Sequence, residues 1–346
     1  MGQRRKWTLV LLLMLVGLIC VGVFVTTIGP ANITMKNAFR IILSRIPGVG
    51  KLITPDWPTS HEIIVLRVRL PRVLVGVVVG AGLSIAGVSF QGLFRNSMAD
   101  PYVIGISGGG SFGASLAIVL GVTSPIPWIG AVPLCAFLGA LGTAFVVYRI
   151  AKVGRRVPAD TLLLSGIAVG ALLSALVSLM MLLSSKDLYQ ILYWGLGSLA
   201  LANYRDLILA LPYILLGMVL ILIFARDLNI LMLGEEAAIT AGVHVERLKR
   251  LLLVAGSLTV AAAVSVSGII GFVGLIVPHI IRLIVGPDHR ILLPTAALGG
   301  AMFLVVSDTV ARSLAPPTEI PVGVVTAVFG APFFLYLLRK RKQQLL

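Results

Sequence analysis

Two spacings between residues 105 and 113 carry the outline of known chemistry. Gly105, Ser107 and Gly109 fit G-x-S-x-G, and Gly108, Gly110 and Gly113 fit G-x-G-x-x-G. A nucleophile elbow presents its serine on a strand-to-helix turn and needs a histidine and an acid as partners. The four histidines, His61, His244, His279 and His289, form no informative pattern with Ser107. A dinucleotide site needs its glycines after a strand of a βαβ unit, with an acid about 20 residues further on. No acid occurs between Asp100 and Asp160. There is no G-x-x-x-x-G-K-[ST], so no P-loop binds ATP here. Cys20 and Cys135 lack a CxxC partner and read as small core residues. Pro278-His279 has no second ligand at metal-binding spacing. The expectation is no catalytic residue, no metal ligand and no resident cofactor. An intramembrane hydrolase built on Ser107 is the remote enzymatic alternative.

The elements that would carry these residues are membrane spans. The chain has 346 residues, 58% hydrophobic and 12% charged, with a mean hydropathy of +1.05. A soluble domain carries about 25% charged residues. Apolar runs lie at about 7–28, 71–93, 103–121, 128–150, 161–183, 206–225, 251–273, 273–286, 291–310 and 321–338. Each span needs ~20 residues, so the fold class is an all-α polytopic membrane protein with about ten transmembrane helices. The two runs meeting near Phe272 have no polar loop between them, and Gly268, Gly271 and Gly274 are the turn signals there. No linker or low-complexity segment divides the chain, so residues 1–346 read as one membrane domain. Small-xxx-small pairs such as Gly76 and Gly80, Gly105 and Gly109, and Gly166 and Gly170 read as close helix packing within the chain.

The formal net charge is +15. Membrane topology explains most of it, without nucleic acid. With ten spans and both termini cytoplasmic, 18 of the 28 Lys and Arg fall on the cytoplasmic side. Seven of the ten exceptions lie between Lys36 and Arg72. Residues 29–68 form a long extracytoplasmic connector, with Met35 to Leu43 as an amphipathic helix on the surface. Residues 226–250 form a long cytoplasmic one. Arg4, Arg5 and Lys6 followed by an apolar run resemble a signal peptide, but no A-x-A-type site follows and a retained first span is expected.

Ionic coupling leaves a trace that is missing here. Proton- or sodium-driven carriers usually keep charges near mid-bilayer. Asp160, Asp187, Asp206 and Asp308 all sit at predicted span ends. An ion-coupled carrier is therefore disfavoured, and energy must come from outside the chain. The acidic, small-residue island at 234–243 is either a solvated connector or a docking surface for a soluble partner that supplies it. Gly234, Glu235, Glu236, Ala237, Ala238, Ala241 and Gly242 combine close backbone approach with acids at a helix start.

Three segments carry a resemblance. Arg69-Leu70-Pro71-Arg72 leads to Gln91-Gly92-Leu93-Phe94-Arg95-Asn96 and Ala99-Asp100-Pro101. The island follows, and then Gly271-Phe272-Val273-Gly274-Leu275-Ile276-Val277-Pro278-His279, Asp288-His289-Arg290 and Glu319-Ile320-Pro321-Val322-Gly323. Together they resemble the permease subunit of the type II ABC importers for iron-siderophore, haem and vitamin B12. That resemblance implies ten spans in the cell (inner or plasma) membrane and a homodimer. It implies two copies of a separate ATPase that holds ATP and Mg, and an extracytoplasmic solute-binding protein. It implies that Arg69, Arg72 and Arg312 dock acidic residues of that binding protein. Asn96 and Met98, with Ala159 and Asp160, correspond to the cytoplasmic gate, although the family often has hydroxyl residues at the second pair. An N-cap role for Asp160 is the alternative. The island corresponds to the ATPase coupling helices. An iron chelate is the expected cargo, being the commonest in this family, with vitamin B12 as the alternative.

Overall fold

The computed structural model describes residues 2–343 except 30, 32, 49, 125, 127, 155, 316 and 317. The described residues are helical, and their one β-bridge joins Val153 to Arg156 in a turn. Among the described residues, eight helices are long and apolar enough to cross a membrane. They are α1 (Gly2–Val25), α4 (Leu70–Leu93), α6 (Ala131–Ala151), α7 (Ala159–Leu183), α9 (Tyr204–Ile223), α12 (Val245–Ser267), α14 (His289–Ser313) and α15 (Val322–Gln343). Two apolar helices are shorter, α5 (Ile106–Val119) and α13 (Val273–Val285). Together they occupy the ten apolar runs of the sequence.

Each short helix has a cause. α5 follows a 3₁₀ turn at Pro101–Ile104 and starts after Gly105, whose φ of 78° breaks the chain direction. α13 is bounded by Phe272 at φ 69° and Gly286 at φ 87°. Between α12 and α13 the backbone runs without helix from Gly268 to Phe272. Such backbone at membrane depth must be satisfied by protein. The Tyr102 hydroxyl does this, donating to the Ile270 carbonyl at 3.1 Å and accepting from its N–H at 3.3 Å. Ser198 N–H donates to the Ser267 carbonyl at 2.8 Å. This pins the junction near Phe272 that no polar loop marks.

α4, α12 and α14 fill the centre. In their apolar windows 72–78% of residues are buried, against 6% in α1 and 11% in α7. Contact is closest where Gly80 of α4 faces the backbone of Gly300 in α14, and a Cβ at either glycine would collide. The Gly-rich pairs thus pack helices inside one subunit, as small residues do in lipid.

Neither connector is an open loop. Residues 29–68 hold α2 (Met35–Leu43) and α3 (Thr59–Ile63), which runs through a π turn, Ile64–Arg69, into α4. α2 is amphipathic, but its inner face packs on the connector itself: Ile33, Ala38, Ile41, Trp57 and Val65 form a satellite core. Arg40 clasps Asp56, and Arg45 pairs with Glu62. α8 (Leu188–Gly195) caps the same end of the bundle, its Tyr193 hydroxyl donating to the Glu319 carbonyl at 3.0 Å. Residues 226–250 hold most of α10 (Ala225–Leu231), then α11 (Glu235–Thr240) and the first turns of α12.

Candidate functional site

The predicted residues gather at opposite ends of the bundle. At one end Arg69, Arg72 and Arg312 lie together, but they point inward. They are 4%, 6% and 9% exposed. Arg72 donates to both oxygens of Asp308 at 2.8 and 2.9 Å and to Glu319 at 2.8 Å. Arg69 donates to the carbonyls of Thr26 at 2.7 Å and Ala31 at 2.9 Å. Arg312 donates to the Val25 carbonyl at 2.6 Å. Within the subunit these guanidinium groups bind the end of α1 to the start of α4 and the end of α14. A planar five-donor fork answers helix-end carbonyls and buried carboxylates better than any other side chain.

At the other end are the residues expected to form the gate and the coupling surface. The Asn96 side-chain oxygen accepts from Met98 N–H at 3.0 Å, turning the chain after α4. Met98 is half-buried against Leu275 and Ile276 of α13 and Phe334 and Leu337 of α15, around a space of about 10 Å³. Ala159 is the first residue of α7, and the exposed Asp160 follows it within the first turn. Pro158, not Asp160, is the N-cap. Thr161 Oγ1 donates to the carbonyls of Pro158 at 3.0 Å and Ala151 at 3.1 Å, tying α7 to the end of α6. Asp160 keeps the helix-dipole benefit of an acid at a helix start.

The island 234–243 is a short projecting helix. Glu235, Glu236, Ala237, Ala241 and Gly242 are exposed, as is Ile239 at 63%. Ala238 is the exception: it is 0% exposed and packs into the main core. Gly242 at φ 83° ends the helix. Glu235 is also tied down, its carboxylate 2.8 Å from Lys249 Nζ. Lys249 is buried and lies 3.4 Å from Glu246, which accepts from Val157 N–H at 3.2 Å. α11, α12 and the connector leading into Ala159 are thereby joined. The pairing of Lys249 with Glu246 escaped sequence reasoning, though the register held a signal. Val245, Leu248, Leu252 and Leu253 are buried apolar positions on one helical stripe, and a lysine among them needs an acid nearby.

Gly105 and Ser107 open a helix rather than a strand-to-helix elbow, and the G-x-G-x-x-G match falls inside α5. Neither reading has the fold it requires. Comparison with known proteins decides the matter: the FecCD transport family matches residues 11–340. This chain belongs to the FecCD transport family. A cobalamin import system permease protein from Halobacterium salinarum is 51% identical over 82% of this chain and 76% of its own. A hemin transport system permease protein from Yersinia pestis is 39% identical over 96% of this chain and 97% of its own. A solved structure described as a metal-chelate type ABC transporter, in an inward-facing conformation, superposes with a TM-score of 0.81. It is 33% identical and covers 95% of this chain and 98% of that one.

As a FecCD member the chain is a multi-pass membrane permease subunit of an ABC importer, working within an ABC transporter complex. It is not an enzyme, because ATP hydrolysis belongs to a separate ATPase subunit. For the FecCD chain, the inward-turned arginines and the projecting α11 mark two surfaces of different kind. One is braced and ionic, the other exposed and partly apolar.

Proposed function

We propose that the chain forms a homodimer, binds two ATPase subunits through α11, and admits a bulky metal chelate from an extracytoplasmic solute-binding protein. The observation that carries this is α11 itself. It is exposed on most of its surface, yet a buried lysine anchors it to the helix that follows. A chain without a nucleotide motif has a use for such a surface as the place where an ATPase pushes. With α11 facing the cytoplasm, both termini are cytoplasmic and the arginine cluster is outside, in the cell membrane. Residues 29–68 and 226–250 are then the outer and inner connectors of one membrane domain. ATP and Mg stay on the ATPase.

The packed centre supports the homodimer. α4, α12 and α14 fill the axis of the subunit with side chains, so a large solute passes between two copies, not through one. Asn96 and Met98, with Ala159 and Asp160, lie at the inner end, where a gate would close. Arg69, Arg72 and Arg312 brace the outer face. Three guanidinium groups stand there against the two carboxylates of Asp308 and Glu319, a net positive charge that suits an acidic binding-protein surface.

The cargo in this reading is an iron-siderophore or haem. Cobalamin is a second reading, favoured by the 51% identity to the Halobacterium salinarum cobalamin permease. Competition among a ferric siderophore, haem and cobalamin for the cognate binding protein ranks the three. Saturable binding of one of them, followed by its ATP-dependent transfer, supports the reading. Failure of all three with an intact complex overturns the chelate assignment.

A further inference from the structure

At the proposed inner end, under the start of α1, a cavity of about 630 Å³ opens between α4, α10, α13 and α14. Gln91, Asn229, Arg282 and His289 line it, with Trp7 at its edge. A second hollow of about 600 Å³ adjoins it, sharing Trp7 and Val285 and adding Lys6, Val10 and Ile284. The two form one recess between α1 and the end of α13.

The charges in this recess do not cancel. Asp288 is fully engaged: Arg290 donates to both its oxygens, the shortest contact 2.5 Å, and Asn229 donates at 2.7 Å. That guanidinium holds the Asp288 carboxyl well below the usual carboxylate range. Arg290 also lies 5.3 Å from the ring centre of Trp7, closing the recess on one side. Arg282 donates only to the neutral Gln91 oxygen, at 2.8 Å. Among the described residues neither Arg282 nor Lys6 has a carboxylate within ion-pair distance. Two unanswered cations therefore face the hollow.

One polar atom there is also an orphan. His289 is 2% exposed, and Asn229 Oδ1 lies 2.8 Å from its Nδ1. The same oxygen accepts from the His289 N–H, so the ring proton sits on Nδ1. Nε2 is left as a buried acceptor without a partner.

The mouth of the recess is apolar. Val10, Ile284 and Val285 line it, and Leu9, Leu13, Leu283 and Ile284 on the same two helices are all more than half exposed, as on faces that meet lipid. A basic hollow between transmembrane helices, at the level of an interfacial tryptophan, suits a lipid headgroup.

We propose that this recess holds an anionic phospholipid. Its phosphate sits between Lys6 and Arg282, and its acyl chains follow α1 and α13. The site needs only that the chain spans a membrane, so it stands apart from the choice of cargo and partners.

Native mass spectrometry of the delipidated full-length protein, titrated with phosphatidylglycerol or phosphatidylcholine, tests it. Phosphatidylglycerol should remain bound at collision energies that strip phosphatidylcholine. Lys6→Glu, at an exposed helix end, should weaken that adduct about tenfold or more with an unchanged unfolding temperature. Arg282→Gln should do the same, and Lys6→Glu keeps the test valid if Arg282→Gln fails to fold. Millimolar inorganic phosphate should leave the adduct in place. Equal retention of phosphatidylcholine, full retention by Lys6→Glu, or displacement by inorganic phosphate would each overturn the assignment.

Discussion

Arg72 holds two carboxylates on one guanidinium, and at 6% exposure it has no water to fall back on. Removing one partner of such a pair strands a buried charge. Arg72→Ala and Asp308→Asn should each lower stability by about 3–5 kcal/mol, read as the thermal unfolding midpoint in detergent. Arg72→Leu combined with Asp308→Leu should recover most of that loss, because a packed apolar pair replaces the desolvated ions. A docking-only role predicts the opposite pattern, with Asp308→Asn leaving stability unchanged. The Arg69-Leu70-Pro71-Arg72 segment stood out in the sequence through the resemblance and among the exceptions to the charge bias. Its partners could not be read there: Asp308 lies 236 residues away, and only the close contact of α4 and α14 brings it back. Thr26, Ala31 and Val25 stayed hidden for another reason: they act through backbone carbonyls and leave no side-chain signature.

α11 shows how a short helix divides its faces. Ala238 fills a closed site in the core while Ile239, beside it, stands out in solvent. Ala238→Leu should overpack the core and cost about 1–3 kcal/mol, seen as a lower unfolding midpoint. Ile239→Asp should leave that midpoint unchanged and abolish co-purification of the ATPase. If Ile239→Asp still retains the ATPase in full, α11 is not the coupling surface. Bulky substitution at Ala238 is thus a probe of folding rather than of coupling. Hydropathy placed the helices well, since each span shows as a run of apolar residues. It missed the ends: α12 starts at Val245, before the apolar run at 251, because Glu246 and Lys249 satisfy each other and let a helix begin among charges. The break after Ser267 was visible only as glycines, and its closure by Tyr102 depends on tertiary contact.

The whole subunit has a solid centre and bare flanks. α7 and α15 present Leu164, Ile167, Leu172, Leu182, Val328 and Phe329 outward, toward lipid or a second copy. The purified permease should therefore run as a dimer in mild detergent, with cysteines on one of these flanks forming a specific intersubunit disulfide. A strictly monomeric species would leave the cargo without a path. At this scale the sequence was most legible. The absence of a P-loop and of mid-bilayer acids required an outside energy source before any helix was placed. Cargo stayed illegible, because apolar walls that let bulky solutes pass carry little chemical identity. The most direct test is uptake into proteoliposomes holding the permease, its ATPase and the loaded binding protein. The account predicts chelate accumulation that requires ATP hydrolysis and the binding protein, and that stops with Ile239→Asp. Accumulation by the permease alone, driven by a proton or sodium gradient without ATP, would contradict it.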